Sequence, residues 1–489
     1  MTSARSHLLE LLAALLGPKG FTRDPAGMAP WLRDWRGRYT GVAEAMLSPA
    51  TTGEVVELVR LCAAAKVPLV PQGGNTSMVA GATPSGAGDA LLLSLKRLDR
   101  IRSISAAANS AVCEAGVILS RLHEAAAGEG RRFPLSLGAK GSATIGGLVS
   151  TNAGGTQVLR FGTMRGLVQG IEAVLADGTL YNGLAALKKD NRGYDLKQLL
   201  IGAEGTLGIV TAASLRLIPA VGSRSVAWIG LDRPAQALDL LLMLEASMGD
   251  AVESFELVPR SALDLVLAHI PDTRAPLTGQ HAWHVLIEAT APMVAPSPEK
   301  ALTAALHAAS EAGLIADAVI AASEAQAQAF WRLRDSISEA EQKDGPAAKH
   351  DLSVEVGAMP AFIEHASAAV QQRFPGTQVI AFGHLGDGNV HFNVRAPDGV
   401  GPDWLQGEGQ AMTAFVHDLV VAAGGSISAE HGIGQMRLAE LGRLGDPARL
   451  KVMRAIKSAL DPDDIMNPGK LVPPVGPASP SLASAPLRQ

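Results

Sequence analysis

Three glycine-rich loops, each set beside a short apolar strand in the first 220 residues, constrain this chain more than any other feature. They read QGGNTS (72–77), LGAKGSATIGGLVSTNAGG (137–155) and GAEGTLG (202–208). Successive glycines let backbone approach backbone or a ligand, and N–H groups turned inward form a concave site for an anion such as pyrophosphate. One glycine turn after a strand is usually only a turn. Three in one domain suggest a single long ligand threaded between backbone segments. The first loop is not a G-x-G-x-x-G fingerprint, and no Gly-Lys-Ser/Thr closes it as in a P-loop.

The surrounding pattern alternates short strands and helices. TTGEVVELVRLCAAAK reads as a helix capped by Thr51 or Thr52; VPLVP, ALLLSL and AVCEAGV read as strands, and Asp177-Gly178 as a hairpin turn. Beyond Pro219 glycine thins out and helical patterns appear at 235–248, 298–312, 322–343, 359–372 and 402–423. Strand candidates HAWHVLIEA and TQVIAFGH lie between them. This predicts an α+β domain with helices on one face of a mainly antiparallel sheet. At 489 residues, two or three domains are expected.

The other bulk features exclude more than they assign. A formal net charge of −5 offers no general attraction for nucleic acid or anionic membrane. The N-terminal run SHLLELLAALLGPKG is interrupted by Glu10 and reads as an amphipathic helix ended by Gly17 and Pro18, not as a signal peptide. No apolar run is long enough for a membrane span. The two cysteines, Cys62 and Cys113, sit in apolar stretches and read as buried thiols in a reducing compartment, so a cytoplasmic location is expected.

HLGDGNVH (384–391) places two histidines on either side of a turn. His269, His281, His284, His307 and His417 read as ordinary satisfied polar groups. The pair His384/His391 would project two imidazoles from neighbouring strands towards one point. With a carboxylate and an open position these would make a Lewis-acid metal site. Glu430, bracketed by small residues in SAEHGIG, is the candidate third ligand. From spacing alone, a metal site and a structural pair stand about equal.

PLVPQGGNTSMVAGA, IGGLVSTNAGG, LIGAEGTLGIVT and DDIMNPGKLVP, in this order, resemble the FAD-binding flavoproteins of vanillyl-alcohol oxidase type over roughly residues 40–472. The resemblance implies a two-lobed FAD-binding domain (1–220), an α+β substrate- and metal-binding cap (221–425) and a C-terminal segment (426–472) completing both sites. The Pro/Ser/Ala-rich tail (473–489) is expected to be disordered. By resemblance, Gly73, Gly74, Asn75 and Thr76 hold the FAD diphosphate, and Gly141, Ser142, Ile145, Gly146 and Asn152 lie along the cofactor. Gly205 to Ile209 face the adenine side, and Asn467 sits near the isoalloxazine. Some relatives attach FAD through a histidine in the first loop; Asn75 stands in that loop here, so noncovalent FAD is expected.

HLGDGNVH with AEHGIG is similar to the D-2-hydroxyacid dehydrogenase branch of this family, where two histidines and a glutamate bind zinc or manganese. The matching positions are His384, His391 and Glu430. A 2-hydroxy acid can chelate such an ion through its hydroxyl and C1 carboxylate. His431, beside Glu430, is the expected general base on the hydroxyl. Asn393, two residues past His391 and so on the same strand face, is expected to hold the carboxylate.

The tail of the acid would be read in FWRLRDSISEAEQKDGPAAKHDLSV (330–354). Arg334 and Ser338, four apart on one predicted helix, share a face, and Lys349 follows after a Gly-Pro break. A solvated charged face is the bland alternative. Arg-x-x-x-Ser followed by Lys-x-Asp-x-Ser resembles the members of the branch that act on D-2-hydroxyglutarate, where these groups meet the distal carboxylate. Glu355, where those enzymes tend to have proline, is a departure. The alternative is a D-lactate or glycolate dehydrogenase on the same scaffold. Expected partners are a small 2-hydroxy acid and an electron acceptor such as an electron-transfer flavoprotein, with a second copy of the chain as a candidate; no nucleic acid is expected.

Overall fold

The computed structural model describes residues 3–475. In the first lobe, strands Leu69–Gln72 and Leu91–Ser94 pair in parallel at one side of a four-stranded sheet. The helix Thr52–Ala65 begins where Thr51 Oγ1 accepts the Glu54 N–H, and ends at Lys66 in the left-handed region. Its buried residues Val55, Leu58, Val59 and Cys62 follow the 3.6 period and pack with Leu69, Leu91 and Leu93. The N-terminal helix breaks at Gly17 (φ 64, ψ −176), as expected, and a further short helical turn follows to Gly20.

The second lobe is a five-stranded antiparallel sheet centred on Ile209–Arg216. The hairpin between Val168–Val174 and Leu180–Gly183 turns at Asp177-Gly178, where Asp177 Oδ1 accepts the Thr179 N–H and Gly178 has φ +78. Cys62 and Cys113 are free and buried, and burial pushes both thiols up to about 12.

The cap is a seven-stranded, wholly antiparallel sheet in the order Asp317–Ile320, Val221–Leu231, Trp283–Pro292, Val252–Pro259, Gln378–His384, Asn389–Arg395, Ala347–Ser353. Helices cover both faces, not one. Ala227, Ile229 and Leu231 pack with the helices Pro234–Met248, Glu299–Glu311 and Met359–Arg373. Val226 and Trp228, on the opposite face, pack with Arg260–His269, Glu324–Asp335 and Ile337–Asp344. The reason lies in the run VAWIGL, which is apolar at both alternating positions and therefore needs cover on two sides. The single helix expected over 322–343 is two, parted at Ser336.

The last described stretch returns to the first lobe, with Asn467 N–H donating to Leu69 O and Leu69 N–H to Ile465 O. Pro473 and Pro474 accept bonds from Arg454; the expectation of a disordered tail falls, from residue 476 on, outside the described residues. No helix among the described residues is long and apolar enough to cross a membrane.

Lobe and cap are joined by a buried ionic clamp. Glu253 of the cap accepts from Arg132 at 2.6 and 2.7 Å, from Arg160 at 3.2 Å and from Thr290 at 2.6 Å, with Gln157 as a further donor. Burial alone would raise this carboxyl, but Arg132, Thr290 and Gln157 together hold it below the usual carboxylate range. A lowered folded value means the contribution is present above the unfolded carboxylate pKa of about 4.3 and is lost as pH falls through the folded one. Glu253→Ala, which strands two arginines, is expected to destabilise by about 3–5 kcal/mol, read as a lower denaturation midpoint at neutral pH. The difference from the parent should shrink as the pH is taken below about 4.

Candidate active site

The glycine loops do meet around one cavity. Gly73, Gly146, Gly205 and Ile209 line it together with Ser77, Ser150, Thr151 and His431. Glycine is required by close approach: a Cβ on Gly73 would lie 2.2 Å from Thr144 Oγ1, and one on Gly74 would lie 2.0 Å from Ser142 O. Gly205 combines φ +72 with a Cβ position 2.5 Å from Pro71 Cγ. Gln72 Oε1 and Thr144 Oγ1 are buried there without a partner. Backbone walls and unpaired polar atoms of this kind fit a long polar cofactor such as FAD.

Several residues expected along the cofactor make contacts within the fold. Ile145 points into the lobe core, Asn152 ends a helix in the left-handed region with Oδ1 on Arg165 N–H, and Asn75 donates its amide to Pro30 O and Arg33 O. Thr76 is half-buried, and Gly141 and Ser142 are exposed. Asn467 (φ 46) is buried, donating to Gly81 O and Glu204 O, with Oδ1 left unpaired. It stitches the C-terminal return to two of the loops around the cavity.

His384 ends one cap strand and His391 lies on the next, across a short 3₁₀ turn closed by Gly388 at φ +77. Their rings are 5.5 Å apart. Glu430 completes the set: one ligand atom from each of His384, His391 and Glu430 lies within 4.8 Å of the others. Glu430 Oε1 is buried with no hydrogen-bond partner, and a Cβ on Gly154 would come within 3.2 Å of it, so the TNAGG loop borders this site too. Two imidazoles, a carboxylate and an orphaned oxygen fit a divalent cation.

Glu256, which carries no signal in the sequence, orients this group. It is the cross-strand partner of His384, and its Oε1 lies 2.6 Å from His384 Nδ1, which leaves Nε2 for a ligand. Its Oε2 accepts from Arg334 Nε at 2.8 Å. Burial alone would lower His384, but Glu256 holds its imidazole up at about 9; the two cations keep Glu256 at about 2 despite burial. Burial pushes Glu430 up to about 7.

Two domain families match the chain: the FAD binding domain over 43–183 and the C-terminal domain of FAD-linked oxidases over 222–471. The mitochondrial D-2-hydroxyglutarate dehydrogenase of Arabidopsis thaliana is 38% identical, with 94% of this chain and 80% of that protein covered. The D-2-hydroxyglutarate dehydrogenase of Xanthomonas citri pv. viticola is 37% identical over 92% of this chain and 93% of its own. The chain belongs to the FAD-dependent D-2-hydroxyacid dehydrogenases. Its fold is that of the vanillyl-alcohol oxidase type: p-cresol methylhydroxylase superposes with a TM-score of 0.73 at 15% identity, over 97% of this chain and 98% of that one.

In this dehydrogenase His431 borders the cavity between the glycine loops, and Asp351 governs its placement. Asp351 Oδ2 accepts the backbone N–H groups of Glu430 and His431, both at 2.9 Å, and lies 3.5 Å from His431 Nδ1. Burial lowers His431 to about 4, against the pull of Asp351. Arg334 is buried over the Phe382 ring, 5.0 Å from its centroid, and only its Nε is engaged among the described residues.

The other groups expected to bind substrate, Lys349 and Ser338 at its tail and Asn393 at the carboxylate, already have partners or face solvent. Lys349 Nζ donates to Glu341 Oε2 at 3.1 Å and to the Ser338 carbonyl at 3.2 Å. Asn393 Nδ2 donates to both oxygens of Glu341, at 2.9 and 2.8 Å. Ser338 is exposed and takes part through its backbone, because the break at Ser336 separates it from the helix of Arg334. Glu355 is exposed; the acid that matters here is Glu341, fully buried. In SEAEQKD it reads as part of a solvated face, but Ile337 and Glu341 are four apart on the buried side of their helix. Of the histidines read as satisfied, His269 and His417 pair with Asp344 and Glu440, whereas both ring nitrogens of His284 are buried without partners.

Removing the orienting carboxylate gives a direct test of the cation site. Glu256→Gln is expected to weaken zinc or manganese binding by about 10- to 100-fold, measured by titrating metal into chelator-treated enzyme. Equal affinity in parent and variant would show that His384 needs no such support.

Proposed function

We propose that this dehydrogenase oxidises D-2-hydroxyglutarate to 2-oxoglutarate, using noncovalent FAD and a zinc or manganese ion held by His384, His391 and Glu430. The observation that carries the reading is the adjacency of Glu430 and His431. One completes the cation site, and its neighbour borders the cavity that fits the flavin. When bound, FAD would supply the hydride acceptor, and a cation on His384, His391 and Glu430 would supply Lewis-acid activation of the 2-hydroxy acid. His431 removes the hydroxyl proton; burial holds its imidazole in the neutral form that can accept one, and Asp351 pulls it towards the protonated form. Asp351 fixes the backbone of the 430–431 pair, so ligand and base keep their relative position. Arg334, with its terminal nitrogens uncommitted among the described residues, takes a carboxylate in bidentate fashion. Each turnover removes one hydride and one proton and leaves the 2-oxo acid.

The relatives' names support D-2-hydroxyglutarate among the acids of this class. The reduced flavin is reoxidised by an acceptor such as an electron-transfer flavoprotein. The free buried thiols Cys62 and Cys113 fit a cytoplasmic protein.

Under anaerobic conditions D-2-hydroxyglutarate, and not its L enantiomer, is expected to bleach the flavin absorbance. A chelator should abolish the bleaching, and zinc or manganese should restore it. His431→Asn is expected to slow reduction by about 10²- to 10⁴-fold while the flavin stays bound. Bleaching by no D-2-hydroxy acid would overturn the substrate reading, and bleaching untouched in metal-free enzyme would remove the cation.

A further inference from the structure

Lys349, which the resemblance assigns to the far end of a dicarboxylate, already holds a carboxylate of this chain. Lys349 and Asn393 are cross-strand partners and present their side chains on one face of the cap sheet. Glu341 reaches them from the helix Ile337–Asp344 and takes three contacts: Lys349 Nζ at 3.1 Å and Asn393 Nδ2 at 2.9 and 2.8 Å. It is fully buried, so water does not screen it, and moving it would expose the ammonium and the amide it satisfies.

The two buried glutamates treat their cations differently. Glu256 engages Arg334 through Nε alone and leaves the guanidinium fork open. Glu341 cancels the charge of Lys349 and takes up the amide donor of Asn393. With the Ser338 carbonyl as a second acceptor, Lys349 keeps one of its three N–H donors. A neutral acceptor, such as an amide or hydroxyl oxygen, can use that donor without penalty. A second carboxylate must share the same ammonium with Glu341, and like charges so close disfavour each other.

We propose that Glu341 is a specificity-determining residue. Its carboxylate fills the anion position of the tail pocket, so the enzyme takes D-2-hydroxy acids with an uncharged polar tail at least as well as the dicarboxylate. The inference rests on the reading above, in which C2 of the acid sits at the cation site and its tail runs towards Lys349.

The test compares D-2-hydroxyglutarate with its neutral isostere, the 5-amide, on holoenzyme carrying flavin and metal, in the parent and in Glu341→Gln. The parent is expected to show kcat/KM values for the two within about tenfold of each other. The variant should move the ratio towards the dicarboxylate by about 10- to 100-fold, through KM rather than kcat. In parallel, 2-oxoglutarate binding, followed by the flavin spectrum or by thermal shift, should tighten by a similar factor in Glu341→Gln and Glu341→Leu. A parent that prefers the dicarboxylate by more than about tenfold would overturn the proposal. So would variants that lose dicarboxylate turnover and binding, which would make Glu341 a positioning residue for Lys349. If the parent reduces its flavin with the amide but not with the dicarboxylate, and Glu341→Gln gains the dicarboxylate, the substrate reading falls and the role of Glu341 stands.

Discussion

The site depends on one buried carboxylate. Glu256 is fully buried, and taking a charge out of water is expensive unless the interior returns equivalent contacts. It finds two, His384 and Arg334, on elements 128 and 78 residues away in sequence. That necessity fixes three things together: the ring orientation of His384, the position of the Arg334 guanidinium, and the register of two cap strands. Loss of Glu256 would leave a buried arginine and a histidine without their common partner, so fold and chemistry cannot be separated at this point.

The C-terminal segment solves a second problem, that of bringing Glu430 and His431 to a cluster built on strands. A loop has no ladder to hold it, so its backbone donors must be satisfied by side chains from elsewhere. Asp351 takes the N–H groups of Glu430 and His431, and Glu204 takes those of Ile433 and Gly434 at 2.8 and 2.7 Å. One acid belongs to the cap and the other to the FAD-binding lobe. The loop is thus held between the two bodies whose ligands it must bring into reach, and Asn467 secures the same return from the other side.

Much of this was legible in the sequence. Local signals carried the lobes: the Thr51 cap, the Asp177-Gly178 hairpin and the glycine loops all depend on residues near one another in the chain. His384, His391 and Glu430 could be read because the turn between the histidines is local and Glu430 has small neighbours. What was not legible depends on distant pairing. Glu256 is one of two acids in the strand Val252–Pro259, and only its register opposite His384 gives it a role. Glu341 looks like surface charge until its helix is seen to break at Ser336 and turn that face inward. The second helical layer on the cap followed from a strand apolar on both faces, a pattern easily taken for one deeply buried side.

Resemblance and geometry also divide at a definite place. Around Glu430 the two point the same way, since His384, His391 and Glu430 cluster and His431 borders the cavity between the glycine loops. At the tail they part. Arg334, Ser338, Lys349 and Asn393 look like an anion clamp as a list of residue types, but charge in a buried pocket is set by sums and not by lists. Lys349 and Glu341 cancel, and Asn393 has turned its donors to the same carboxylate. Chemistry at C2 needs only the hydroxyl, the C1 carboxylate and a hydrogen aimed at the flavin, so it tolerates many tails. The tail pocket alone must choose among them, and there a single buried carboxylate outweighs the likeness of its neighbours.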